Sequence, residues 1–406
     1  MDEEDVLGLN AMVHQSGPQR SRVLSVVAMN HAVNDGSIYL LSSLFPVVLA
    51  IFNLSVFQVG VLVGVGYLVS VVGQPIVGRY SEKVHPEKLL SAGIAIIAAS
   101  VVTFVLSTGF NSLLGSVILL RIGSCFYHPV GVSAVSKAYA RRNLDRAMGI
   151  QSAFGDLGIL IVFLASAPVY LTLGWKATFI LFAAVDAADI AITLALLKSP
   201  NANRLSSQRE TPPQTRNDIG RRIPLFFLLV SFVSGACFAI VLNYTNILLE
   251  SDSHVGVFLA NMAVSGWIAL ACVGAISTGK WPGAKRRVMF LSLIFLLSAA
   301  TLVILAYNAS NLTLAIPLLL INGFTVSATY PLTYSELSDY LGEESETHGR
   351  SFGAIFSAQT IGGSALGVVS GYLSAAYGLP SAFFVAGLLM LIGSGISLSW
   401  RHERRF

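Results

Sequence analysis

Apolar segments of about 20 residues recur along this chain from one end to the other, divided by short polar turns. At 1.5 Å per residue, each is long enough as a helix to cross a hydrocarbon layer of about 30 Å. Barrel strands would be half that length and would alternate in polarity. Amides that face lipid must be satisfied within their own segment, so the expected fold is a polytopic bundle of α-helices, an all-α membrane protein. Composition agrees: 54% of the 406 residues are hydrophobic and 11% are charged, against about 25% charged in a soluble domain. The lipid bilayer is the expected surrounding, and a net charge of +4 calls for no nucleic-acid partner.

The N-terminus reads "MDEEDVLGLN", acidic where a secretory signal would be basic, so no removable targeting peptide is expected. Cys125, Cys237 and Cys272 each fall within an apolar segment, without the paired spacing of a metal site or a disulfide framework. They read as small packing residues. No cofactor and no metal site is expected from the sequence.

Apolar runs between charge clusters predict twelve spans: 23–52, 55–78, 89–109, 112–138, 147–172, 176–197, 223–249, 255–279, 288–307, 311–335, 351–377 and 380–400. With the N-terminus placed in the cytoplasm, all but two of the 25 Lys and Arg residues fall in cytoplasmic segments. The exceptions are Lys176 and Arg121. The positive-inside rule therefore puts both termini in the cytoplasm of a cell (inner or plasma) membrane. The longest linker, residues 199–222, is polar, basic and proline-bearing, and it divides the chain into six spans plus six. The expected organisation is a tail at 1–22, a first half at 23–198, the linker, a second half at 223–400 and a tail at 401–406. The halves resemble each other. "RAMGIQSAFGDLG" from Arg146 aligns with "RSFGAIFSAQTIG" from Arg350, and upstream the "HP" at His128 matches the "YP" at Tyr330.

Two six-span halves related as parallel repeats, with short outer loops and one long cytoplasmic linker, resemble the major facilitator superfamily of secondary transporters. The turn "GRYSEKVHPEK" resembles that superfamily's loop motif at Gly78, Glu82 and Lys83, while His85 and Pro86 depart from it. By the resemblance Glu82 and Lys83 would form a charge clasp; as residues alone they read equally as a solvated turn. "HAVND" at His31–Asp35, "RIGSCFYHPVGVS" at Arg121–Ser133 and "GGSALG" at Gly362–Gly367 resemble the fosmidomycin-resistance branch. That resemblance implies proton-driven export of drugs. Asp156, in "FGDLGILI", departs from the branch's glycine-rich fifth span.

An ionisable side chain at mid-bilayer costs about 2.5–3.5 kcal/mol, so it faces a cavity or a partner. Asp35, Arg121, Asp156, Asp186 and Asp189 lie within spans of the first half, and the predicted spans of the second half hold no Asp, Glu, Lys or Arg. Asp35 sits about 20 Å along its helix from Arg22, nearly level with Arg121, so an Asp35–Arg121 pair is expected, either as a switch or as a permanent ion pair. His31, one turn before Asp35 and beside Asn34, reads as a proton relay or as a core histidine. His128 precedes Pro129 and is expected to satisfy the local backbone, with contact to substrate as the alternative. Asp156 is a second proton-site candidate, with a structural hydrogen bond as its alternative. Asp186 and Asp189 read as acids packed against another helix or against a protomer.

The polar residues in the spans of the second half are neutral: Asn243, Asn246, Asn261, Ser265, Asn322, Thr325, Tyr330 and Gln359. Interhelical hydrogen bonds are their default reading, at about 0.6 kcal/mol each. In the superfamily these spans also line the substrate cavity, so with Asn34 and His128 they are candidate cavity residues, joined by the aromatics Phe352, Phe356 and Trp267. The expected function is alternating-access transport, with proton-coupled export of a small organic compound as the first reading and uptake or exchange of a metabolite or organic anion as the second. Protons and a small molecule are the expected partners, and the protein is expected to be a monomer. No nucleophile–base pair or HExxH cluster supports an enzyme.

Overall fold

A computed structural model describes residues 17–81, 84–139, 141–197, 223–278, 284–341 and 348–403. The predicted linker and Glu82 and Lys83 of the loop motif lie outside these residues. Among the described residues thirteen helices follow in order: α1 (Gly17–Ser43), α2 (Phe45–Phe52), α3 (Val56–Tyr80), α4 (Pro86–Val105), α5 (Phe110–Ser124), α6 (Tyr127–Ala138), α7 (Arg141–Leu197), α8 (Leu225–Ser253), α9 (Val257–Thr278), α10 (Ala284–Tyr307), α11 (Leu312–Leu341), α12 (His348–Tyr377) and α13 (Pro380–Glu403). Among the described residues ten helical segments are long and apolar enough to cross a membrane, and α1 with α2 forms one further, bent crossing. The longest segment, Ala147–Leu196, is interrupted at Gly174, whose φ of 79° suits glycine, and so supplies two of the twelve predicted crossings.

Local chemistry accounts for the boundaries. Ser55 and Gln58 close a capping box at the start of α3: the Gln58 amide donates to Ser55 Oγ and the Ser55 amide donates to Gln58 Oε1. Two predicted single spans are broken. Span four parts between α5 and α6 at Cys125 and Phe126, because Pro129 has no amide to offer the Cys125 carbonyl and its ring crowds that turn. Span one bends by 50° between α1 and α2, where Pro46 likewise withholds a donor from the Ser42 carbonyl. That carbonyl accepts instead from Asn246 Nδ2 of α8, at 2.6 Å.

The internal repeat is visible as packing. Gly158 in α7 lies against the Ala32 backbone of α1, and a Cβ there would fall 2.7 Å from Ala32 Cα. Its aligned counterpart, Gly362 in α12, lies against Phe232 of α8, with a Cβ 3.0 Å from the Phe232 carbonyl carbon and closer still to its oxygen. Contacts between the halves gather toward the face opposite the chain termini. Gly60 of α3 meets Gly371 of α12, where a Cβ on either glycine would be 2.7 Å from the other's Cα, and Ser364 Oγ of α12 donates to the Gly64 carbonyl of α3 at 2.9 Å. Ser42 Oγ donates to Asn243 Oδ1 at 2.6 Å, and Asn261 Nδ2 of α9 donates to Ser166 Oγ at 3.2 Å. Farther along α3 the glycines turn to their own half, Gly73 against Cys125 and Gly78 facing Pro129. The seal is therefore on the face away from the termini.

Candidate functional site

Helix α1 carries "HAVND" into the middle of the first half. His31 and Asp35, one turn apart, are 3.2 Å apart between Nε2 and Oδ2. His31 Nδ1 lies 2.7 Å from the Gln151 carbonyl of α7. A carbonyl can only accept, so Nδ1 carries the hydrogen and Nε2 is the atom turned toward Asp35. Asn34 Nδ2 donates to Asp35 Oδ1 at 2.8 Å, which leaves Oδ2 for His31. Gln151 Nε2 donates to Tyr127 Oη at 2.7 Å, and that hydroxyl donates to the Val27 carbonyl at 3.1 Å. The His31 ring stacks on Tyr127 with centroids 4.3 Å apart and meets His128 edge-on at 5.3 Å. Gly155 makes room for the cluster: a Cβ there would lie 2.6 Å from the His31 ring and 2.9 Å from Asp35 Oδ2.

Several expectations change. Asp35 pairs with His31 rather than Arg121, because the i, i+4 neighbour on its own helix is already in reach. Arg121 turns to aromatic rings, with its guanidinium carbon 4.6 Å from the Tyr67 centroid and 6.0 Å from that of Tyr39, while the two tyrosine hydroxyls lie 3.0 Å apart. Among the described residues no carboxylate lies within ion-pair distance of Arg121. His128 packs its ring on His31 and Tyr127 instead of capping the backbone before Pro129. Asp156, one residue beyond Gly155, is half-buried at the junction of the halves, where the Cys272 thiol of α9 hydrogen-bonds its carboxylate.

Asp186 and Asp189 are buried within the chain, not at a protomer contact. Ser37 Oγ donates to Asp186 Oδ1 and Asn30 Nδ2 to Asp189 Oδ2, each at 2.7 Å, pinning the end of α7 to α1. The second half does contain a buried acid. Helix α11 runs past the predicted end of its span, and Glu336, fully buried, accepts from Trp400 Nε1 at 3.1 Å and lies 3.7 Å from Arg287.

The neutral residues expected along a cavity divide into two groups. Asn243 and Asn246 bind Ser42 across the seal. Asn322 is buried among Trp267, Ser298 and Thr301, and Thr325 donates back to the Asn322 carbonyl. Asn243, Asn246 and Asn322 hold helices together while Thr325 bonds within its own helix, so the polar atoms of all four are spent on neighbours. Tyr330 and Gln359 belong to a half-buried aromatic wall: Gln359 Nε2 donates to Tyr334 Oη at 2.9 Å, Tyr334 packs on Phe356 at 5.4 Å and Phe352 at 5.9 Å, and Tyr330 Oη donates to the Ser234 carbonyl at 3.3 Å. Trp267 is wholly buried. Sequence reasoning missed Gln151, Tyr127, Gly155, Tyr39 and Tyr67. The first three had a signal: Gln151 and Gly155 lie one turn apart inside the repeated stretch, and Tyr127 stands beside the singled-out His128.

Comparisons with known proteins agree with this architecture. A profile of the Major Facilitator Superfamily matches residues 27–366 and 283–406. The chain is 23% identical over 401 residues to Multidrug resistance protein 2 of Bacillus subtilis (strain 168), covering 95% of this chain and 97% of that one. It is 21% identical over 379 residues to the Fosmidomycin resistance protein of Escherichia coli (strain K12), covering 91% of each. The crystal structure of a bacterial homolog to the human lysosomal transporter Spinster, in an inward-facing and occupied conformation, superposes with a TM-score of 0.76 at 16% identity, covering 95% of this chain and 97% of that one. Repeat, helix count, inter-half seal and profile agree, and the chain belongs to the major facilitator superfamily of membrane transporters.

Proposed function

We propose that this transporter exports a small organic compound in exchange for protons, by alternating access between its two halves. The observation that carries the reading is the distribution of groups across the junction. The ionisable cluster, His31, Asp35 and Asp156, belongs to the first half; the half-buried wall of Tyr330, Tyr334, Phe356 and Gln359 belongs to the second. A compound held by the wall and a proton held by the cluster would each bias the same rocking equilibrium. The resistance named for two full-length relatives supports export of a drug-like compound. The loop motif at Gly78, Glu82 and Lys83 would clasp the cytoplasmic side, with both termini in the cytoplasm of a cell membrane.

The test is proton movement in inverted, energised vesicles challenged with a panel of drugs and organic anions, comparing the native chain with Asp35→Asn and Asp156→Asn. A compound that releases lumenal protons with the native chain and not with either variant is the expected result. Compound-dependent proton release undiminished in both variants would remove the cluster from the coupling. One observation favours a second reading. The Arg121 guanidinium, held by Tyr39 and Tyr67 with no carboxylate at ion-pair distance among the described residues, suits an anionic substrate, and uptake or exchange of an organic anion is the outcome if a labelled anion equilibrates while no compound moves protons.

A further inference from the structure

The cluster around His31 has more ligand capacity than a proton needs. One side-chain atom from each of His31, Asp35 and His128 lies within 4.8 Å of the other two. His31 is 6% exposed, and its Nε2 has no hydrogen-bond partner: the approach to Asp35 Oδ2 at 3.2 Å is an ion-pair distance without hydrogen-bond geometry. The far side of two of the ligands is fixed. His31 Nδ1 is held by the Gln151 carbonyl and Asp35 Oδ1 by Asn34 Nδ2, the outer contacts that orient metal ligands in proteins. In a tetrahedral zinc site with bonds of about 2.0–2.2 Å, ligand atoms stand roughly 3.4 Å apart. The His31–Asp35 separation already matches, and the His128 nitrogen, within 4.8 Å of both, would draw in to complete the triangle.

We propose that His31, Asp35 and His128 bind one divalent transition-metal cation of the zinc class, with a fourth position open to water or to a bound compound. Two imidazole nitrogens and one carboxylate oxygen favour zinc, cobalt or nickel over calcium or magnesium, which take oxygen ligands. Coordination here depends on where three ligand atoms converge, and it stands independently of the path taken by an exchanged proton. The cation would join α1 to α6 within the first half, leaving the junction between the halves free to move.

The test uses the untagged full-length chain, purified in detergent, titrated with zinc chloride by calorimetry and with cobalt chloride by visible absorption. One equivalent per chain is expected, with the intense bands of tetrahedral cobalt. Asn34→Ala, which releases the carboxylate, should weaken binding by roughly 10-fold to 100-fold. His128→Gln and Asp35→Asn should weaken it further, and the loop substitutions His85→Gln and His254→Gln should leave it unchanged. Size-exclusion elution identifies any variant that has lost its fold, and Asn34→Ala, which keeps all three ligands, remains informative if a ligand variant does not fold. Absence of one-to-one binding, or equal affinity in the native chain, His128→Gln and Asp35→Asn, would overturn the site. None of these readouts requires transport, so a failure of proton-coupled export would leave this result standing.

Discussion

Gly158 gives the sharpest test of the packing, because its substitution brings two opposed effects of known size. Replacing a mid-helix glycine by alanine favours the helix by about 1 kcal/mol through backbone entropy. At Gly115 of α5, where an added methyl meets nothing within 4 Å, that gain should appear undiminished. At Gly158 the methyl would lie 2.7 Å from Ala32 Cα and closer still to the Ala32 carbonyl, whereas ordinary contact begins at 3.4 Å. The obstacle is backbone, so no rotamer change relieves it; α1 and α7 must part by roughly 1 Å along a long seam, and overpacking of this kind costs about 1–3 kcal/mol. Gly158→Ala should therefore be neutral to destabilising by up to about 2 kcal/mol. Gly362→Ala, against Phe232, should behave in the same way. The assay is reversible unfolding of the purified chain in mixed micelles, followed by tryptophan fluorescence. If Gly158→Ala and Gly362→Ala both gain as much as Gly115→Ala, the close approach at the repeated glycine is refuted.

The remaining predictions probe the site and the seal. Gly155→Ala puts a methyl 2.6 Å from the His31 ring; substrate-driven exchange in vesicles should fall at least about tenfold, comparable to a small misplacement of catalytic or binding groups, while size-exclusion elution stays native. Asn246→Ala frees the Ser42 carbonyl and should cost about 0.6 kcal/mol, up to about 1.7, read as faster labelling of a cysteine placed at Leu62 by an impermeant maleimide. Unchanged labelling would mean that the clasp does not hold the seal. Glu336→Ala should destabilise more than Asp339→Ala, since Glu336 is fully buried beside Arg287 whereas Asp339 is 41% exposed, and exposed pairs contribute about 0–1 kcal/mol. Equal midpoints in thermal unfolding would contradict that ranking.

The fold was legible because lipid enforces periods that local sequence cannot hide. Span lengths, the 6+6 division and the aligned glycines Gly158 and Gly362 follow from the sequence and recur as crossings and contacts. The breaks were harder to read. A proline such as Pro46 weakens a helix, yet whether the helix bends depends on whether another element takes the freed carbonyl, and Asn246 is some 200 residues away. The site was partly legible: His31 and Asp35 share a face by spacing alone. The expected partner of Asp35 was misjudged because depth in the bilayer says which groups are level, not which way they turn. Arg121 turns to Tyr67 and Tyr39, and no spacing rule on one helix reports a ring offered by another.

The clasp at Ser42 is a defect in one helix mended by the other half. Pro46 leaves a carbonyl that α1 cannot satisfy, and Asn246 supplies the missing donor as long as the far face is shut. Parting the halves on that face would admit water to the same carbonyl and to the Asn246 amide, so each group would exchange one donor or acceptor for another of similar strength. A latch built this way has nearly equal free energy engaged and released, which suits a machine that must cycle thousands of times without a large energetic preference for either end.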